Sequence, residues 1–279
     1  MKTKKRLKTM KTSCKILCLV SAAAAACAVA QADSTNRCDS AIHAVHIDAC
    51  NSSLGGCLKR ARPGDLAVRL DRFGAWLASK DKPCSTMVKD VEERAATLQD
   101  TARFAIDTSQ VTFAGAAAAP VRIVMYVSAT CPLCKRIYHE LYDSVTAGGL
   151  KGKARLGIKP FSAKPLDVML LAARRFGRQA DLMRSLAGVE VRITEAIVLK
   201  KADSIGIPAH ELRKLAADSA IVRAAVGSAE EGGRNGVTVT PTIFINNRRY
   251  KSYKDPQWVV DAAEYAFSNV RRASALPVK

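Results

Sequence analysis

The chain has 279 residues, 48% hydrophobic and 25% charged, which is ordinary for a globular protein and leaves room for a sizeable core. That balance excludes a disordered or fibrous chain. The formal charge of +19 is high, but the basic residues are scattered and aromatic residues make up only 5%. Neither the basic stripe nor the stacking platform of a nucleic-acid binder is present, so no nucleic-acid partner is expected.

Residues 1–32 differ in kind from the rest. Lys2, Lys4, Lys5, Arg6, Lys8, Lys11 and Lys15 stand without a single acid, residues 16–30 are apolar or small, and Ala30-Gln31-Ala32 fits a small-x-small cleavage site. A basic head, a short apolar run and such a site make a secretory signal, and the location implied is periplasmic or otherwise extracytoplasmic. The apolar run is short against the roughly 20 residues that span a bilayer. An uncleaved anchor is the alternative, and Cys27 as a lipidated cysteine a further one, although only alanines precede it closely. Without the signal, 37 basic residues face 25 acidic ones, a net charge of +12. Six of the nine cysteines then remain: Cys38, Cys50, Cys57, Cys84, Cys131 and Cys134. An even number in an exported chain suggests disulfides.

Residues 33–100 read as a small helical, cysteine-bearing region. Leu66, Leu70, Phe73 and Leu77 fall at helical spacing, as do Met87, Val91 and Leu98, with a turn at residues 80–83 between them. So short a region buries little surface. Two disulfides among Cys38, Cys50, Cys57 and Cys84 would help it, in any of three connectivities. Cys38, His43, His46 and Cys50 also have the chemistry of zinc ligands. Disulfides with surface histidines are the simpler expectation, so no metal site is assigned.

Residues 101–279 form the second domain. Residues 103–106 and 110–113 read as short strands. The run VRIVMYV at residues 121–127 has the apolar, β-branched character of a buried central strand. Residues 135–145 predict a helix with Ile137, Leu141 and Val145 on one face, and residues 155–159 a second strand. A long helical stretch follows over residues 166–226, punctuated by Pro208 and glycines. Residues 237–239 and 242–246 read as strands around Pro241. Asn246-Asn247 fits a hairpin turn, residues 248–250 return, and a helix over residues 256–268 turns Trp258, Ala262 and Tyr265 inward. The fold class expected is α/β.

The chemistry lies in Cys131-Pro132-Leu133-Cys134. Disulfide exchange needs an attacking thiolate and a second thiol near enough to resolve the mixed disulfide. A helix N-terminus supplies free N–H groups and partial positive charge, which lower a thiol's pKa. Pro132 suits a first helical turn, which needs no N–H there. Cys131, at the helix end, is the expected nucleophile, and Cys134, one turn in, the resolving thiol. Half of a zinc site is disfavoured because the chain has no second Cys-x-x-Cys, and haem attachment because Lys135, not histidine, follows Cys134. Taken alone, Pro241 would be a trans proline at a strand edge. Beside the cysteine pair, a cis proline facing it is expected, exposing Thr240 backbone groups to an extended peptide. Pro132, Leu133 and Thr240 are the candidate substrate contacts. His139 is read as a solvated helix residue.

The stretches VRIVMYVSATCPLCKRIYHEL (residues 121–141) and VTVTPTIFINNRRY (residues 237–250), with the helical stretch between them, resemble the DsbA/DsbC/DsbG group of thioredoxin-like proteins over residues 101–270. The resemblance implies a thioredoxin-like fold with a helical insertion and an extracytoplasmic enzyme acting on protein thiols. Cys131 matches the family's nucleophile, Cys134 its resolving cysteine and Pro241 its cis proline. The partners implied are exported proteins or peptides with thiols or disulfides, and a membrane redox protein that resets the pair. No organic cofactor or metal is required. One departure matters: where DsbA-type oxidases carry a buried acid, six residues before the first cysteine, this chain has Met125. The DsbC and DsbG isomerases are similar in that respect. The helical insertion fits the DsbA side and favours an oxidase, with an isomerase or reductase as the alternative. A non-catalytic binding or metal-carrying module is the rival of another class. The N-terminal region does not resemble the β-rich dimerisation domain of the isomerases.

Overall fold

The computed structural model describes residues 66–80, 82–109 and 111–274. The signal segment, Cys38, His43, His46, Cys50 and Cys57 lie outside the described residues, as does the side chain of Cys84, so the cysteine pairing expected there does too. The chain divides into two compact units, one ending at Gln99 and the other beginning at Asp100.

In the first unit, α1 (Leu66–Ala78) and α2 (Cys84–Gln99) pack against each other. Leu70, Phe73 and Leu77 of α1 and Val91 of α2 are completely buried, which is the face their spacing predicts.

The second unit is built on a sheet of order β1-β3-β2-β4-β5. Its strands are β1 (Phe113–Ala114), β2 (Val121–Val127), β3 (Ala154–Pro160), β4 (Thr242–Ile245) and β5 (Arg248–Arg249). β2 runs parallel to β3 with Met125 opposite Ile158, and antiparallel to β4 with Met125 opposite Ile243. The parallel pair is joined through α3 (Pro132–Thr146), the crossover that parallel strands require. After β3 come the inserted helices: α4 (Pro165–Ala172), a 3-10 turn (Ala173–Phe176), α5 (Gln179–Ala187), α6 (Glu195–Ser204), α7 (Ala209–Ala216) and α8 (Ser219–Arg234). The chain closes with α9 (Pro256–Ser274), which packs on α3, β2 and β4.

β2 is central because six of its seven side chains are buried, Arg122 being the exception. Successive side chains alternate between faces. On one face Val124 and Tyr126 join Phe244 and Val237 in an apolar cluster, with Ile106, Phe104 and Phe161 packed in. α8 reaches this cluster through Gly232, where a Cβ would stand 2.8 Å from the Phe161 ring and 2.9 Å from Tyr126. The β4–β5 hairpin turns at Asn246 and Asn247, both at positive φ (48° and 64°). Two such residues make the tight turn that suits a twisted hairpin.

Two expected strands are absent. Residues 103–106 do not join the sheet because side chains and a turn take their backbone groups. Phe104 N–H donates to Asn247 O at 2.9 Å, and Asn235 Nδ2 donates to Ala105 O at 3.0 Å. Residue 110 lies outside the described residues, and of residues 111–113 only Phe113 is in a strand. Residues 237–239 are also irregular. Val237 N–H returns to Gly232 O at 2.8 Å, closing the end of α8 beyond Gly236 at φ 72°, and Val239 O accepts from the Thr242 hydroxyl at 2.7 Å. The last helix runs six residues past its expected end, to Ser274. Trp258 and Ala262 are buried in it, while Tyr265 is only half-buried.

Gly232→Ala should overpack the ring cluster and destabilise the second unit by about 1–3 kcal/mol, read as a lower denaturation midpoint with an unchanged slope. An alanine at exposed Gly227, in the same helix with nothing near its Cβ position, should have no such cost.

Candidate active site

Strand β2 delivers the chain to its C-terminal end at Val127, in the middle of the sheet, and residues 128–130 make a tight link to α3. Cys131 N–H closes that link on Ser128 O at 3.1 Å. Cys131 then takes an extended backbone (φ −77°, ψ 115°) and caps α3, with Pro132 in the first turn. An N-cap residue usually offers a side-chain oxygen to the exposed N–H groups. Here the acceptor is sulfur: Cys134 N–H points at Cys131 Sγ, 3.2 Å away. The interaction both ends the helix and favours negative charge on that sulfur.

Both cysteines are free thiols, Cys131 half-buried and Cys134 fully buried. The Cys131 thiol falls from the usual 9.0 to about 6. The hydrogen bond from the Cys134 thiol is the largest cause. Burial works against it, and the Cys134 N–H, the Thr240 hydroxyl and the Leu133 N–H add to it. Cys134 is pushed far in the opposite direction, first because it donates to Cys131 and second because it is buried; the Ser128 N–H opposes this weakly. The two thiols therefore split into one that ionises easily and one that holds its proton.

The Thr240–Pro241 peptide is cis. It brings Thr240 O to 3.6 Å from Cys131 Sγ, close enough to accept from the thiol. Thr240 is half-buried, Pro241 buried and Val239 52% exposed, so the chain surfaces just before the proline. Pro132, next to Cys131, is exposed and Leu133 half-buried. The sequence-nominated residues Cys131, Pro132, Leu133, Cys134, Thr240 and Pro241 thus gather within one site. Met125 lies fully buried in β2. His139 is half-exposed, with Nε2 3.8 Å from Asp143 Oδ2 one helical turn on.

Two residues at this site carried no sequence signal. Asp167, in the first turn of α4, accepts a hydrogen bond from Ala129 N–H, at 2.6 Å, and another from the Ser162 hydroxyl. Lys135 is buried and donates to Val189 O between α5 and α6. Both depend on how the inserted helices fold back, and no local motif announces that. Among the described residues no three metal-ligating side chains gather.

A thioredoxin family model matches residues 107–262, more than half of the chain and the whole of this site. The chain belongs to the thioredoxin family. No curated protein sequence matches it. Among solved structures, this thioredoxin-family chain is similar to oxidised BdbD from Bacillus subtilis, at 16% identity and a TM-score of 0.51, over 61% of this chain and 100% of that one. It is also similar to alpha-DsbA1 from Wolbachia pipientis, at 12% identity and a TM-score of 0.51, over 61% and 97%. At such identities the likeness is one of fold.

Alkylation of the reduced protein should follow the Cys131 titration. The rate should rise with pH to a plateau with a midpoint near 6, and peptide mapping should find the label on Cys131 and not on Cys134. A midpoint at the usual 9.0 would contradict the site. Stability must follow. A thiol depressed on folding stabilises the reduced form fully above its unfolded value, and that stability is lost as pH falls through its folded value. The melting temperature of the reduced form, relative to the oxidised form, should therefore climb between pH 6 and pH 9.

Proposed function

We propose that this chain is an exported thiol–disulfide oxidoreductase that exchanges disulfides with exported proteins through Cys131 and Cys134, acting as a dithiol oxidase. One observation carries the reading: Cys131 Sγ is half-buried at the start of α3, its pKa is about 6, and the peptide bond before Pro241 lies beside it.

In the oxidised form the two cysteines share a disulfide. A substrate thiolate attacks Cys131 Sγ, the S–S bond breaks, and Cys134 leaves with the electron pair and takes up a proton. A second substrate thiolate then attacks the substrate sulfur of the mixed disulfide and expels Cys131 as a thiolate. Two electrons pass from the substrate dithiol to the enzyme pair, and the substrate leaves as a disulfide. Each thiol suits its step. Cys131 departs easily because its thiolate is stable, and Cys134 readily holds the proton it gains.

The same property supports the oxidase direction over an isomerase or reductase. Stabilising the Cys131 thiolate stabilises the reduced protein, which makes the disulfide form the stronger oxidant. Thr240 and exposed Val239 offer an edge to an extended substrate peptide, and Pro132 and Leu133, beside Cys131, are the further contacts. A membrane redox protein would reoxidise the pair in the periplasm. The basic, apolar start of the sequence supports export. No described helix is long and apolar enough to cross a membrane.

Cys131→Ser should abolish exchange with a reduced protein substrate. Cys134→Ser cannot form the internal disulfide and should lose oxidase activity; its Cys131 thiolate can still attack a substrate disulfide, and the resulting mixed disulfide should accumulate because the chain keeps no second thiol to resolve it. A Cys131→Ser variant with full activity would refute the enzyme reading. The reduction potential decides direction: near about −120 mV for an oxidant, near about −270 mV for a reductant.

A further inference from the structure

Asp167 is 1% exposed and has no cationic partner among the described residues. A buried carboxylate is costly unless hydrogen bonds satisfy it. An acid at this third helical position commonly reaches back to its own helix end. Asp167 does not: Oδ1 accepts from Ala129 N–H at 2.6 Å, and Oδ2 accepts from the Ser162 hydroxyl.

Ala129 is fully buried at the middle of the link between β2 and α3. Its neighbour Ser128 touches both cysteines. Ser128 O accepts from Cys131 N–H at 3.1 Å, and Ser128 N–H bonds the Cys134 sulfur. The carboxylate therefore holds the one short segment whose backbone groups set the height and spacing of the two sulfurs. It does so from α4, in the inserted helices, whereas the β2 position six residues before Cys131 carries apolar Met125.

We infer that Asp167 is a positioning residue for the redox pair, with Ser162 orienting its carboxylate, so that the inserted helices fix the geometry in which Cys131 ionises. This rests on the thiol–disulfide reading and deepens it. Asp167 touches no reacting atom and acts through Ala129 and Ser128.

The test is a spectroscopic titration of the Cys131 thiolate in the reduced full chain, with melting temperatures of both redox forms. Asp167→Ala removes both acceptors and should raise the midpoint by about one pH unit, leaving roughly tenfold less thiolate well below it. Asp167→Asn keeps an acceptor for Ala129 N–H and a donor for Ser162, and should stay within about 0.3 unit of wild type. An unchanged Asp167→Ala midpoint, with both redox forms losing the same melting temperature, would reduce Asp167 to a merely structural residue and overturn the inference. So would an Asp167→Asn shift as large as that of Asp167→Ala, because charge and not placement would then be at work. Should Asp167→Ala fail to fold, Ser162→Ala removes one arm only. An upward shift of about half a unit is expected there, and no shift overturns the inference. Wild-type exchange activity is measured alongside. Its absence counts against the functional reading alone, because the titration reports Cys131 whether or not a substrate is turned over.

Discussion

The site depends on one sulfur being asked to do the work of a capping oxygen. Cys131 Sγ accepts the Cys134 N–H at the start of α3, and a sulfur in that role does best as an anion. Proline at the first helical position carries no N–H that would need a partner there. The Cys134 thiol, one turn deeper, then becomes a donor to the same sulfur and keeps its proton. Helix capping, thiol ionisation and the division of labour between the two cysteines are therefore a single arrangement. None of these could be changed without changing the others.

The sheet serves this arrangement by precision of placement. Pairing of β2 with both β3 and β4 fixes where β2 ends, and therefore where α3 begins. The same β2–β4 pairing sets the position of Thr240, the residue before the proline that leads into β4 at Thr242. The sulfur and the peptide edge are thus carried on adjacent, hydrogen-bonded strands, a rigid mounting for groups that must meet a partner in a defined pose.

Much of this was legible in the sequence, and the reasons are specific. VRIVMYV predicts β2 to the residue because a strand buried on both faces needs an unbroken apolar run. Cys131 to Cys134 signals a helix start because proline and two cysteines at that spacing suit little else. Asn246-Asn247 marks its hairpin because few residues tolerate positive φ. The failures are of one type. Residues 103–106 and 237–239 look like strands by composition, but distant groups claim their backbone: Asn247 and Asn235 for the first, the end of α8 for the second. Asp167 and Lys135 escaped notice for the same reason, since their partners lie 38 and 54 residues away. Local pattern reports propensity, and these features are decided by tertiary contact.

The clamp around Lys159 shows where the second unit physically starts. Lys159 pairs with Glu231 of α8, and its amine also reaches Asp107 O at 2.6 Å, while Glu231 Oε1 takes the Asp107 N–H at 2.6 Å. Phe104 and Ile106, just upstream, fill the ring cluster on β2. A chain trimmed to begin at residue 107, where the family match begins, would lose both of these apolar plugs. It would also place a new charged amine beside an ion pair with almost no access to water. The shortest autonomous piece of this protein therefore reaches back past Phe104, into sequence that the shared family pattern does not include.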